Sequence, residues 1–188
     1  MKNLKLIAIA FVATFSMTSM VAQTKKIIVE KSKIVWLGKK VTGQHEGTVN
    51  FKEGALIFKE QKLKGGSFVV DMPSLNCTDL QGDYQGKLNG HLKGDDFFGT
   101  AKFPTSTMVF KTIADKGNNT YTVTADLTIK NITKPVTFDL VVNGNTAKTS
   151  FKVDRTKYDI KYGSGSFFDN LGDKAIYDDF ELTVNLVF

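Results

Sequence analysis

Few side chains in this sequence could do chemistry. Its 188 residues include two histidines, His45 and His91, and one cysteine, Cys77. A metal pair would require the histidines to converge, and neither has a cysteine or carboxylate at a ligand-like spacing beside it, so we expect no metal site. A single cysteine allows no disulfide within the chain. Cys77 is interpreted as a small, partly buried core residue, with pairing between chains or reaction with oxidants as the alternatives.

Sequence motifs for catalysis are also missing. There is no G-x-S-x-G elbow, no GxxxxGK[ST] phosphate loop and no GxGxxG between a strand and a helix. The acidic stretch from Asp169 to Glu181 lacks the alternating oxygen ligands and glycine turn of a calcium loop, which favours a solvated surface. We therefore expect no catalytic residue and no cofactor.

One segment interrupts a chain that otherwise consists of strands. Residues 87–104 read KLNGHLKGDDFFGTAKFP, with Leu88, Leu92 and Phe98 at roughly helical spacing. Two acidic residues precede Phe97 and Phe98, which makes these aromatic rings look exposed. The Phe-Pro pair at the end of the segment stops a helix, because the residue before proline is pushed to extended geometry. We predict a short helical lid over an apolar cavity, and we call residues 87–104 the lid segment.

The strands that must position these residues are marked by period-two alternation. Tyr121, Val123, Ala125, Leu127 and Ile129 fall on one face, opposite threonines, an aspartate and a lysine, which is typical of a half-buried antiparallel strand. Similar patterns predict strands at 32–41, 46–52, 55–60, 67–72, 106–113, 121–130, 136–143, 147–155 and 180–188. Turn signals separate them at Glu53-Gly54, Gly65-Gly66, Lys116–Asn119, Asn131–Lys134 and Asn143–Asn145.

The fold class follows from how these strands can be covered. Short turns favour an up-and-down antiparallel arrangement, and a sheet with few helices to cover it closes on itself, which removes its edges. About eight strands give an interior that is filled by side chains or holds one small ligand, as in lipocalins. We predict an all-β, lipocalin-like barrel with a short helical lid, and the strand pattern leaves both kinds of interior open.

The N-terminus predicts export. Lys2 and Lys5 begin the chain, an apolar run of residues 4–15 follows, and Val21-Ala22 provides a small-residue cleavage site. This is the pattern of a cleaved secretory signal peptide over residues 1–22, because the apolar run is too short to span a membrane. We expect a periplasmic or secreted protein whose single domain covers residues 23–188.

The basic charge predicts no nucleic-acid partner. The net charge of +6 falls to +4 without the signal peptide, which carries two lysines and no acidic residue. Arg155 is the only arginine, and the lysines are dispersed along the chain. Guanine recognition and tight phosphate clamps rely mainly on arginine, so a solvated lysine surface is the favoured interpretation.

Four ordered motifs resemble one known family. The lid segment resembles the KLxxHLkxxDFF…kxP block of the YceI-like family of secreted lipid-binding proteins. Ser32–Trp36 with Gly38-Lys39 resembles the opening strand of that family. Leu127–Val136 resembles its LTIKGxTKxV turn, with Asn131 where the family usually has glycine, and Asn also tolerates a left-handed backbone. Phe151–Tyr162, followed by Ile176–Phe180, resembles its closing FxxxRxxYxIxY pattern.

The resemblance implies a barrel around an isoprenoid chain, and it is compatible with a homodimer. The side chains expected to contact the lipid are Trp36, Phe68, Val70, Leu88, Leu92, Phe97, Phe98, Leu127, Ile129, Phe138, Leu140, Phe151, Phe180 and Leu182. Those expected at the cavity mouth are His91, Tyr158 and Tyr162. Two or three isoprene units would contribute about 8–12 kcal/mol of gross burial energy.

The sequence therefore predicts a non-enzymatic carrier that sequesters or transports a polyprenyl or quinone-type lipid, with no membrane anchor of its own. One alternative is a structural or stress-response barrel with a filled interior. The other is a small exported enzyme that acts on a lipid-like substrate through His91 or a tyrosine or aspartate at the mouth.

Overall fold

The computed structural model describes residues 21–188, which form nine strands, one α-helix and three 3₁₀ turns. The strands are β1 Gln23–Lys26, β2 Lys33–Lys40, β3 Gly43–Lys59, β4 Lys62–Cys77, β5 Thr105–Gly117, β6 Thr120–Ile129, β7 Ile132–Asn143, β8 Thr146–Asp154 and β9 Ile176–Val187. The helix is α1 Gly82–Lys93, and the 3₁₀ turns are Val29–Lys31, Arg155–Tyr158 and Gly172–Lys174.

Eight of the strands close into a barrel. The hydrogen-bonded order is β3-β2-β9-β8-β7-β6-β5-β4, and β4 pairs back with β3, so each strand lies beside its neighbour in sequence and β9 joins β2. All pairings are antiparallel, and β1 adds a short ninth strand to the far half of β3. The predicted all-β, up-and-down barrel is confirmed.

The barrel has two different ends. The hairpin turns at residues 60–61, 118–119 and 144–145 lie at one end, which we call the lower end. The upper end carries α1 and the long connection of residues 155–175. Fully buried side chains pack part of the interior toward the lower end, among them Leu56, Leu63, Val123, Ala125 and Ala147.

The tight turns have the chemistry that the sequence predicts. Asn118 and Asn119 have φ of 50° and 59°, and Lys130 and Asn131 have φ of 50° and 61°. Two successive left-handed residues form the hairpin turn whose twist matches that of the flanking strands. Asn131 therefore adopts the left-handed backbone expected of it.

Two predicted turns are wrong. Glu53-Gly54 lies inside β3, at a shift in the β3–β4 register, and Gly65-Gly66 lies inside β4. The chain instead reverses at Glu60-Gln61, where φ is 54° and 60°. A Cβ on Gly54 would collide with the Phe68 ring on the paired strand. This glycine is in the strand because an aromatic ring packs against its backbone, which is a common reason for glycine within a strand.

The lid segment also differs from its prediction. The helix begins at Gly82 and ends at Lys93, before Gly94, so Phe97 and Phe98 lie in the turns that follow it. Both rings are buried, with 7% and 9% of their surface exposed, which contradicts their exposed look in the sequence. The start was missed because the first helical turns are polar and carry no apolar periodicity.

The predicted signal peptide lies outside the described residues, except for Val21 and Ala22. Between residues 21 and 188, no helix has the length and apolar character needed to cross a membrane.

Candidate functional site: an apolar cavity under a lid

The barrel encloses a cavity of about 350 Å³ that extends from the lid segment to Ile34, Leu140 and Leu186, near the lower ends of β2, β7 and β9. All eight barrel strands and the lid segment contribute side chains to its wall. The lid segment covers it from above, and the buried side chains of Leu56, Leu63 and Val123 do not line it. Part of the interior is therefore a packed core and part is an open chamber.

All fourteen side chains predicted to contact a lipid line this cavity. They are Trp36, Phe68, Val70, Leu88, Leu92, Phe97, Phe98, Leu127, Ile129, Phe138, Leu140, Phe151, Phe180 and Leu182. Alternate residues of a strand point to the same face, so the apolar residues of each strand all point inward once the strand register is fixed. This is why they converge on the cavity. Their contact with a lipid stays a prediction.

Aromatic rings form a continuous band around the wall. Successive ring centroids are 5.9 Å apart for Phe51 and Phe68, 5.6 Å for Phe68 and Phe110, and 6.0 Å for Phe110 and Phe138. Phe151 then stacks on Phe138 at 4.7 Å. These distances are those of favourable aromatic pairs, so the rings stabilise one another while facing an apolar space.

A second aromatic run belongs to the lid segment. His91 packs edge-on against Phe97 at 5.4 Å, Phe97 against Phe98 at 5.3 Å, and Phe98 against Phe180 of β9 at 6.1 Å. His91 also packs against Tyr162 at 4.5 Å. This run joins the lid segment to the barrel wall and to the connection of residues 155–175.

Hydrogen bonds fix α1 to the end of β4. Asn89 Oδ1 accepts from the Cys77 amide at 2.7 Å, and Gln85 Nε2 donates to the Cys77 carbonyl at 2.7 Å. Asn89 Nδ2 also donates to Asn76 Oδ1 at 2.8 Å. Residues 85 and 89 are one helical turn apart, as are Leu88 and Leu92, so α1 presents a polar row to β4 and an apolar row to the cavity.

The three predicted mouth residues have different positions. His91 lines the cavity. Tyr162 lies beside it, half exposed and in contact with His91, but does not line the wall. Tyr158 is not at the mouth: it is 1% exposed and packed in the core, because the 3₁₀ turn and the left-handed Asp159 direct it inward. Burial raises the pKa of Tyr158 to about 12.

Polar side chains that the sequence analysis did not assign also line the cavity at its upper end. They are Lys39, Lys40, Gln44, His45, Arg155, Tyr177 and Asp179. The sequence pattern could not predict them, because alternation identifies only the apolar faces of strands. These residues lie at the strand ends, where the alternation stops.

Arg155 is a buried residue that connects the chain segments around the cavity mouth. It is 2% exposed, and its guanidinium donates to the backbone carbonyls of Ile160, Ile176 and Tyr177 at 2.8, 3.0 and 3.1 Å. Asp178 Oδ1 lies 3.7 Å from Nη2, and the Phe97 ring centroid lies 5.6 Å from Cζ. Burial lowers the pKa of Arg155, opposed by the nearby carboxylates. The only arginine thus ties β9 to the lid segment.

A mixed polar cluster lies next to the mouth. His45 Nδ1 is 3.0 Å from Asp79 Oδ2, and Cys77 Sγ is 2.9 Å from Asp79 Oδ1. Burial alone would raise the pKa of Asp79, but hydrogen bonds from Cys77 and His45 lower it overall. Burial raises the pKa of the Cys77 thiol. The spacing of residues along the chain did not indicate that Cys77 and Asp79 lie beside His45, and Cys77 is fully rather than partly buried.

The sequence matches one family over most of its length. The model of the YceI-like domain matches residues 26–188. The chain belongs to the YceI-like family. A UPF0312 protein of Shewanella denitrificans is 37% identical to this YceI-like chain over 91 residues, which cover 48% of the chain and 46% of that protein. A UPF0312 protein of Pseudomonas putida is 39% identical over 98 residues, covering 52% and 49%. The chain thus matches about half the length of these relatives.

Solved structures share the fold of this YceI-like domain. BcnA of Burkholderia cenocepacia has a TM-score of 0.68 at 25% identity, with coverage of 86% of this chain and 99% of BcnA. A polyisoprenoid binding domain from Saccharophagus degradans has a TM-score of 0.58 at 13% identity, with coverage of 89% and 97%. The Campylobacter jejuni YCEI protein has a TM-score of 0.53 at 16% identity, with coverage of 98% and 96%. The last two likenesses establish the fold.

Proposed function

We propose that this YceI-like domain binds the tail of an isoprenoid lipid in the barrel cavity, with the head group at the polar upper end. The observation that carries the proposal is a cavity of about 350 Å³ with an aromatic band in its wall and a lid segment above it. A protein of the same fold is described as a polyisoprenoid binding domain, which supports this ligand class.

The binding energy is sufficient for this role. The cavity falls in the range of about 300–1,000 Å³ that is usual for ligand sites. Each buried methylene contributes about 0.8 kcal/mol, so two or three isoprene units give about 8–12 kcal/mol before ordering costs. Micromolar affinity requires about 8 kcal/mol, so a tail of this length reaches it if ordering costs are small.

The head group would lie among groups of both charge signs. Lys39 and Lys40 end β2, while Tyr177 and Asp179 begin β9, and all four line the cavity. Such a mouth offers hydrogen-bond donors and acceptors rather than one dense charge. Polyprenyl and quinone-type lipids both remain within the proposal, because each combines an isoprenoid tail with a small polar head.

The physiological role follows as part of the same proposal. The predicted signal peptide would place the domain in the periplasm or outside the cell, where it would sequester or transport its lipid without converting it. We also predict a homodimer, and light scattering would measure the mass of the particle in solution. The alternative of a filled, non-binding barrel is disfavoured by the cavity, and no observation in residues 21–188 favours an enzyme.

The test is native mass spectrometry of gently purified mature protein, followed by organic extraction. We expect a bound species whose fragments form an isoprenoid ladder. Delipidated protein should also take up a polyprenol or a quinone with an isoprenoid tail at micromolar concentration. An apo mass together with failure to load any member of such a panel would overturn the proposal.

A further inference from the structure

We propose that His45, Cys77 and Asp79 form a zinc site beside the cavity mouth. His45 is the third residue of β3, Cys77 is the last residue of β4, and Asp79 follows two residues later, before α1. Antiparallel pairing of Gly47 with Cys77 brings the start of β3 against the end of β4. Residues more than thirty positions apart thereby meet.

The geometry of the three ligand atoms suits a tetrahedral cation. The imidazole nitrogen, the thiol sulfur and a carboxylate oxygen all lie within 4.8 Å of one another. Ligand atoms at zinc–ligand distances of 2.0–2.3 Å in a tetrahedron are about 3.5 Å apart. The cluster therefore needs shifts of about 1 Å to hold the ion, with water as the fourth ligand.

The donor set selects the metal class. One thiolate, one imidazole and one carboxylate suit zinc, whereas magnesium and calcium prefer sites made of oxygen alone. Binding requires the thiol to lose its proton to solvent as the sulfur–metal bond forms. The thiolate and carboxylate then balance the two charges of the cation, so the filled site is neutral.

The surroundings provide both an entry route and a fixed support. His45 and Asp79 expose 34% and 30% of their side chains, while Cys77 is fully buried beneath them. The Cys77 backbone is held by Asn89 and Gln85 of α1, as described above. Positioning of ligands by neighbouring hydrogen bonds is characteristic of metal sites.

The same cluster is poorly arranged for thiol catalysis. A nucleophilic cysteine needs access to its substrate as well as a base beside its sulfur. The Asp79 carboxylate lies beside the Cys77 sulfur, but Cys77 has no exposed surface. A cation would instead join the start of β3 to the chain that leads into α1, next to the cavity wall to which His45 contributes.

The test uses the full mature protein after chelator treatment, titrated with Zn²⁺ alone by calorimetry. We expect one equivalent to bind, and Co²⁺ in its place should show a thiolate charge-transfer band. His45→Gln and Asp79→Asn should each weaken zinc binding at least tenfold, since even changes around a metal site cost ten- to a hundredfold. Cys77→Ser should abolish the charge-transfer band.

The matched control is Asp173→Asn, on the exposed 3₁₀ turn Gly172–Lys174 and outside the cluster. This variant should bind zinc like the unaltered protein. If Cys77→Ser does not fold, the variants at the partly exposed His45 and Asp79 still show whether zinc binds at this cluster. Absence of zinc binding, or binding that is unchanged in both His45→Gln and Asp79→Asn, would overturn the site. Neither result depends on whether an isoprenoid is bound.

Discussion

A single substitution that fills part of the cavity can test whether a lipid tail binds there. Leu182 lies in β9 between Trp36 of β2 and Phe151 of β8, and all three side chains line the cavity. Leu182→Trp should place an indole where a lipid tail would lie. The change adds about six non-hydrogen atoms, which is roughly the size of one isoprene unit, and lost burial of about five carbons costs about 4 kcal/mol.

That loss converts to a large change in affinity. At about 1.4 kcal/mol per factor of ten, full displacement of one unit weakens binding about a thousandfold, and displacement of half a unit about thirtyfold. We expect the dissociation constant of a polyprenol to rise within that range. The free energy of unfolding of the empty protein should change by less than the roughly 1–3 kcal/mol typical of overpacking, because the indole enters open space.

The matched control is the next residue along the strand. Thr183 is exposed on the outer face of β9, and Thr183→Trp adds the same indole outside the barrel. Its effect on affinity should stay within about twofold, as for most surface substitutions. Calorimetric titration of delipidated protein measures both variants, with urea unfolding as the stability check. Unchanged affinity in Leu182→Trp, or equal losses in the two variants, would refute a tail bound along β9.

Three further predictions concern the fold. Arg155→Met leaves three backbone carbonyls without their donor and Asp178 without the cation 3.7 Å away. Urea unfolding should therefore show a free energy of unfolding about 3–5 kcal/mol lower, with Arg155→Lys in between. The Tyr158 phenol ionises near pH 10 in the unfolded chain but near pH 12 in the folded protein. The free energy of unfolding should therefore fall by about 2 kcal/mol as the pH rises from 10 to 12, and Tyr158→Phe should remove that fall. Asn131 has a φ of 61°, so Asn131→Val should lower the free energy of unfolding by about 1–2 kcal/mol, whereas Asn131→Gly should leave it nearly unchanged. Equal melting temperatures for these two variants would contradict the turn assignment.

The strand pattern predicted most of the barrel because alternation is a local property. In β6, the period of two already separates Tyr121, Val123 and Leu127 from the threonines, and these residues are buried in the barrel. The left-handed backbone of Asn131 was likewise readable, since it depends on the residue itself, but the turn lies at Lys130-Asn131 rather than across the predicted Asn131–Lys134. The prediction that fourteen cavity-lining residues contact a lipid needed the family resemblance as well, which supplied the expected ligand class.

Local signals failed where a distant chain segment decided the outcome. Gly54 carries the residue type of a turn, yet β3 continues through it because Phe68 of β4 packs on its backbone. No pattern in the sequence around Tyr158 predicts that it is buried, yet the 3₁₀ turn that begins at Arg155 places it in the core. Neither contact can be inferred from neighbouring residues.

The sequence by itself determined most of the strands, the faces they present and the left-handed turns at Asn118-Asn119 and Asn131, because backbone geometry and side-chain alternation act over a few residues. Only the tertiary structure decided that the barrel contains a cavity beside its packed core, since a cavity depends on how side-chain volumes from eight strands sum within a closed sheet. It also decided that His45 meets Cys77 and Asp79, because that contact depends on the register in which β3 pairs with β4. Register and closure are long-range properties, fixed when the strands pack together.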